Sequence, residues 1–332
     1  MLPVHVAFFA VVAFFLVRLV PGDPVRLAGG PDMSDEEYTR IQQTLGLDGS
    51  IFSQLWGFLS KAVTGDLGTS AYTGKTVMSE FEVRLPATLE LAIIALVLSI
   101  LFSIAAAYLV LTRPGNVVSR ALTVYARTAG AIPQYLLAVV AIFVFYASLH
   151  WAPAPIGRMG SEIPAIVPIT NFPMLDAALQ ARPDAVMSML THLALPLAVL
   201  VLSQTDLLIK ILVRGLDDEV DTPATWFRVA CGVKRRKVII SVYRRALPQL
   251  VVLLAAMFGF LLGGAVLLED LFSLGAMGQY AVDAINTKDV AALQGFLLLS
   301  AAVSLVVFLL ADIANMILDP RRRPGVAKGG SE

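Results

Sequence analysis

The sequence predicts an all-α polytopic membrane protein. It reads as six transmembrane helices, an extracytoplasmic helical insertion between the first and second, and short cytoplasmic helices between the fourth and fifth. Three observations carry this. Of 332 residues, 57% are hydrophobic and 15% charged, where a soluble domain carries roughly 25% charged residues. Six apolar segments are long enough to span, a helix needing about 20 residues to cross the hydrocarbon. The basic residues gather in alternate connections, as the positive-inside rule requires.

The spans follow in order. The first, Leu2 to Val20, contains only His5 and Arg18 as titratable residues. It has neither the basic lead nor the small-residue cleavage site of a signal peptide. The second runs from Leu91 to Thr112 without a charge. The third lies between Arg127 and Arg158, with Ala129–Leu149 as its core. The fourth covers about Ala185–Thr205, the fifth Ala246–Leu268 and the sixth Val290–Ala311. Residues 1–20 are thus span 1, 21–86 the outer insertion, 87–319 the core and 320–332 a tail.

Charge sets the orientation. Arg113, Arg120 and Arg127 connect spans 2 and 3 without an acid. Arg214, Arg228, Lys234, Arg235, Arg236, Lys237, Arg244 and Arg245 lie between spans 4 and 5, and Arg321, Arg322, Arg323 and Lys328 follow span 6. These three segments are expected in the cytoplasm, with both termini. The 21–86 segment then lies outside and is acid-rich. It is too long for a simple loop and is expected to fold. Ser34–Glu37 is a capping box opening a helix that Gly46 ends. Phe52, Leu55, Trp56 and Leu59 follow helical spacing up to Gly65, and Val77, Phe81 and Leu85 suggest a third helix. Spacing alone fits an inert insertion as well as a partner-binding cap.

The stretch from Asp221 to Pro248 reads as two short helices around a glycine. Thr222 suits the N-cap, Pro223 the first helical position and Gly232 a left-handed turn. With Trp226, Phe227, Arg228, Val229, Ala230, Cys231 and Val233, these residues form the candidate contact site, either docked on another protein or lying as a basic loop beside phospholipid. Glu269 and Asp270, after Gly263 and Gly264, are candidate pathway or outer-gate residues; an ordinary outer loop is the alternative.

Other chemistry is not indicated. Gly68 to Thr76 has five residues between its glycines where a phosphate-binding loop has four. The three histidines lie far apart and suggest no metal site, the lone Cys231 excludes an internal disulfide, and zero net charge suggests no nucleic-acid partner. No catalytic constellation stands out. Asp206, Lys210 and Arg214 are spaced as a helical ion-pair ladder at the end of span 4. An ion-coupled secondary transporter would need mid-span carboxylates and inverted repeats, which spans 2, 3 and 5 and the centre of 6 do not supply.

The motifs in order resemble a permease subunit of the ABC importers for dipeptides, oligopeptides and nickel. They are Pro21-Gly-Asp-Pro24, Leu45-Gly-Leu-Asp48, Gly65-Asp-Leu-Gly-Thr-Ser70, Arg84-Leu-Pro-Ala-Thr-Leu-Glu-Leu91, His192-Leu-Ala-Leu-Pro196, Leu262-Gly-Gly264 with Glu269, and Asp319-Pro-Arg321. The resemblance covers nearly the whole chain. It departs at Ala224, where tyrosine is usual, and at Arg228, where a small residue is usual.

The resemblance implies a bacterial cytoplasmic-membrane, multi-pass subunit without enzymatic activity. Residues 214–246 become a coupling loop toward the ATPase. Partners implied are a paralogous permease, two ATP-binding subunits and an extracytoplasmic substrate-binding protein, within membrane lipid. ATP and Mg belong to the partner subunits, and this chain holds no cofactor. Peptide is the implied substrate, with nickel or another small solute as the alternative.

Overall fold

The computed structural model describes residues 2–19, 23–30, 33–44 and 46–318, without the side chains at 2–3, 24, 27–28, 248–249, 251–252, 255–256, 260, 262–264 and 314–318. Pro21–Gly22, Leu45 and the motif and basic tail from Asp319 to Lys328 lie outside the described residues. Helices appear in the order α1 (Leu2–Arg18), α2 (Pro24–Gly29), α3 (Asp35–Thr44), α4 (Ile51–Val63), α5 (Val77–Thr112), α6 (Val117–Thr128), α7 (Gln134–Ala141), α8 (Pro173–Leu179), α9 (Pro183–Val220), α10 (Pro223–Ala230), α11 (Arg235–Leu271), α12 (Met277–Asn286) and α13 (Val290–Leu318). Among the described residues there is no strand, only an isolated bridge between Thr69 and Thr76. Three helices are long and apolar enough to cross a membrane: α5, α9 and residues 290–313 of α13. The bent pair of helices over 117–148 makes a fourth if it counts as one span.

Contacts divide the chain into two compact units. The first comprises Met1–Glu90, Pro153–Leu193 and Leu262–Leu305, the second Leu91–Ala152, Ala194–Leu261 and Val306–Glu332. In the first unit, the capping box is formed. The Glu37 N–H donates to Ser34 Oγ at 3.3 Å and Ser34 N–H donates back to the Glu37 carboxylate at 3.1 Å. Gly46 and Gly65 both take positive φ after their helices, which a side chain resists. A helix not expected above, α2, starts at Pro24 behind its N-cap Asp23, whose carboxylate accepts from Val25 N–H at 2.9 Å. Val17, Phe81, Met277, Tyr280 and Leu293 form one buried apolar cluster of this unit. In the second unit, Leu208, Leu212 and Leu216 of α9 pack with Val242, Ala246 and Leu250 of α11. Their four- and eight-residue spacings set one face of each helix against the other.

Three expectations are corrected. Val77, Phe81 and Leu85 do not form a separate outer helix; they are the first turns of α5, which runs through Pro86 into the apolar stretch. Pro86 removes one N–H and crowds the preceding turn, yet α5 is continuous through it. The basic helix after Gly232 is likewise the start of the 37-residue α11 and not a short helix of its own. The third apolar segment is not one straight helix. The helical segments 117–131 and 134–148 meet at 110°, with Pro133 between them, and the second ends in a π-helical turn over Ile142–Ser148. A residue before proline is steered out of the helical region, and Ile132 is extended.

Candidate functional site

The 219–245 segment of the second unit holds the candidate contact residues. Thr222 sits at the N-cap with extended backbone and Pro223 begins α10. The Thr222 hydroxyl does not cap the helix; it donates to the Glu219 carbonyl at 2.9 Å. Thr225, the only buried residue of α10, donates to the same carbonyl at 2.8 Å and accepts from Arg245 at 2.5 Å. Arg245 also pairs with the Glu219 carboxylate at 2.5 Å and donates to Ser241 at 2.8 Å. One face of α10 is thereby fastened to the end of α9 and the start of α11 through charge-assisted bonds.

The rest of the helix is open. Trp226, Phe227 and Val229 are 63%, 70% and 53% exposed, and Arg228, Ala230, Cys231 and Gly232 are exposed beside them. Val233 is half-buried. Gly232 has φ +71°, and a Cβ there would meet nothing within 4 Å. Its constraint within this chain is therefore conformational and not steric. Two neighbouring exposed aromatic residues thus stand on an eight-residue helix that is fastened through the Glu219–Arg245 pair.

In the first unit, Glu269 is fully buried and Asp270 is half-buried. The Glu269 carboxylate accepts from Gly278 N–H at 2.6 Å. Gly278 permits this approach, since a Cβ there would lie 2.4 Å from Val266 Cα and 2.7 Å from the carboxylate. Met277 N–H donates to Thr88 at 3.0 Å. Arg158 belongs to the same cluster, donating to the carbonyls of Leu274 at 3.0 Å and Ala87 at 2.7 Å and standing 3.6 Å from Glu90. Burial lowers the pKa of Arg158, while the charges of Glu269 and Glu90 push it back up. Glu90 in turn accepts from the N–H groups of Met174 at 2.9 Å and Leu175 at 3.3 Å. Gly263 and Gly264 fall in the helical backbone of α11, at positions whose surroundings lie outside the described residues.

Sequence reading missed Arg158, Glu90 and Gly278 as a set, although Glu90 stands in a quoted motif. The available signal was a lone arginine in the span-free segment 149–172 and a lone glutamate at the edge of an apolar run. Among the described residues, no group of three His, Cys, Asp or Glu side chains could hold a metal ion. A recess of about 560 Å³ in the first unit has Arg18, Lys61 and Lys288 on its walls together with Asp48, Asp66 and Asp289, so it selects neither sign of charge.

Two family models match in tandem. Residues 3–92 match the N-terminal model of the binding-protein-dependent transport system membrane components. Residues 99–324 match the binding-protein-dependent transport system inner membrane component. The chain belongs to this family. Among its relatives, the permease is 30% identical over 329 residues to the probable D,D-dipeptide transport system permease protein DdpB of Escherichia coli K12, covering 98% of this chain and 95% of the other. It is 28% identical to the dipeptide transport system permease protein DppB of the same strain, covering 93% and 92%. It is 27% identical to the glutathione transport system permease protein GsiC of Escherichia coli O6:H1, covering 95% and 93%. Both α10 and the Glu269 cluster fall within the residues matched by the larger model, apart from Ala87, Thr88 and Glu90, which the N-terminal model covers.

Proposed function

We propose that this permease forms half of the translocation pathway of an ATP-driven importer for short peptides. The carrying observation is α10, an aromatic face held rigid from behind by Glu219, Thr225 and Arg245. ATP-binding subunits dock on this face, and their closure moves α10 as a lever. A rigid-body motion then passes along α9 and α11, because the lever is fastened to both. A second, paralogous permease supplies the other half of the path, and an extracytoplasmic binding protein delivers the peptide to the 21–86 side. The chain crosses the bacterial inner membrane six times with both termini in the cytoplasm. In this reading ATP and Mg act on the partner subunits, and this chain catalyses nothing itself.

Peptide is favoured as substrate because the three relatives above are named for dipeptides and glutathione; no observation favours nickel. Reconstitution tests the function. Proteoliposomes carrying the permease pair and ATP-binding subunits should accumulate a labelled dipeptide only with both ATP and the binding protein. Uptake driven by an ion gradient without ATP would contradict the proposal.

A further inference from the structure

The recess of the first unit is lined by α1, α4, the turn after α4, the connection between α12 and α13, and the start of α13. Its volume of about 560 Å³ lies within the range of small-molecule sites, about 300–1,000 Å³. Gln294 on its wall is only 8% exposed. Its side-chain amide nevertheless has no hydrogen-bond partner among the described residues. Buried polar groups are normally bonded, and one that is not calls for an explanation. An amide in this position lacks both a donor and an acceptor opposite it.

The charges on the walls are unpaired as well. The Arg18 guanidinium lies 3.5 Å from the Phe14 ring centre and donates to the Phe14 carbonyl at 3.0 Å and to Gln54, both uncharged. Among the described residues, Lys61, Lys288, Asp48 and Asp66 form no ion pair either. Lys288 is held in the left-handed region at φ 52°, a conformation that strains a lysine. Its neighbour Asp289 fixes it there. The Asp289 carboxylate accepts from the Ser70 hydroxyl at 2.6 Å, the Tyr72 N–H at 3.2 Å and the Ala292 N–H at 3.0 Å. Asp289 is thus occupied by the fold, and Asp48 and Asp66 are the acids left to meet a cation.

We propose that this recess binds a short zwitterionic peptide. Walls that carry both signs of charge without pairing them suit a ligand that carries both. The carboxylate end meets Arg18, Lys61 or Lys288, and the ammonium end meets Asp48 or Asp66, through charge-assisted bonds. Between the ends, a peptide bond offers one N–H and one C=O, the two partners that the Gln294 amide lacks. Phe14 and Phe58, whose rings lie 5.9 Å apart, and Leu67 supply apolar wall for a ligand side chain. The need for an amide between two charges comes from the walls; that the ligand is a peptide rests on the import reading above. The site belongs to the permease itself and fills without the binding protein.

The test is equilibrium dialysis of labelled dialanine against the transporter, assembled in nanodiscs without its binding protein. Wild type should bind dialanine. Alanine, which lacks the peptide bond, and N-acetyl-dialanine amide, which lacks both charges, should each compete at least tenfold more weakly. Gln294→Leu and Lys288→Gly should each weaken dialanine binding at least tenfold. Both variants suit the fold, since leucine removes an unbonded amide and glycine adopts φ 52° freely, so the unfolding temperature should not fall. Equal binding by wild type and both variants, or no binding by wild type, overturns the site. Alanine competing as well as dialanine overturns the peptide assignment. ATP-driven dialanine uptake by the same wild-type complex, with the binding protein restored, is measured alongside. Uptake without recess binding removes this proposal alone, and absence of both removes the import reading with it.

Discussion

The Arg158 guanidinium stands 3.6 Å from the Glu90 carboxylate, and solvent reaches no more than a tenth of either side chain. The two lie far apart in sequence, on the loop after the bent pair and near the middle of α5. A buried pair of this kind is costly to break, because the partner left behind keeps its charge without compensation. The charges of both Glu90 and Glu269 act on Arg158. Arg158→Ala should therefore destabilise the permease by about 3–5 kcal/mol, read as a lower unfolding temperature of the detergent-solubilised chain. Arg158→Lys should recover only part of this, since one ammonium cannot reproduce the guanidinium bonds to both Leu274 and Ala87.

Gly278 carries a steric prediction. Its missing side chain leaves room for Val266 backbone and for the Glu269 carboxylate. Gly278→Ala should force α12 away from α11 and cost about 1–3 kcal/mol as overpacking. Gly232→Ala makes a useful contrast, because open space surrounds that position and only its φ resists. In the isolated permease the first substitution should lower the unfolding temperature more than the second.

Asp176 gives a pH dependence. Burial pushes its pKa up, but bonds from the Thr170 hydroxyl and from the N–H groups of Thr170 and Ile169 outweigh burial and hold it below the ordinary value. A depressed folded pKa stabilises above the unfolded pKa of about 4, and that stability is lost as pH falls through the folded value. The stability gap between wild type and Asp176→Asn should be full at pH 7 and shrink below pH 4. A gap that is constant from pH 7 to pH 3 would count against the assignment.

Much of this architecture is readable from local pattern. The capping box at Ser34, the turns at Gly46, Gly65 and Gly232, and the start of α10 at Pro223 all depend on residues within one turn of each other. Helix lengths are less readable. Hydropathy is low at Arg235–Lys237 and at Glu80–Arg84, yet α11 starts with the first and α5 contains the second, because backbone hydrogen bonding does not stop where lipid does. The Arg158 cluster was beyond reach, since its members come from positions 87 to 278 and only folding brings them together. The Glu219–Arg245 clamp was hidden for a related reason. Arg245 reads as one more cation in a basic run until Glu219, 26 residues earlier, is seen beside it.

That clamp predicts a specific failure. Arg245→Ala should leave α10 exposed but loose, so that ATP hydrolysis by the assembled transporter continues while peptide uptake falls at least several-fold. The reversed pair Glu219→Arg with Arg245→Glu should restore part of the uptake. If the single variant transported like wild type, the lever would not depend on this fastening.

Cys231 reports directly on whether an ATP-binding subunit covers α10 and its exposed end. It is a free, exposed cysteine at the end of α10. The rate at which a bulky maleimide modifies Cys231 should be measured in the isolated permease and in the transporter assembled with its ATP-binding subunits. Rapid labelling of the isolated chain and at least tenfold slower labelling after assembly are expected. Equal rates in the two states would contradict it and leave this segment a solvated basic turn.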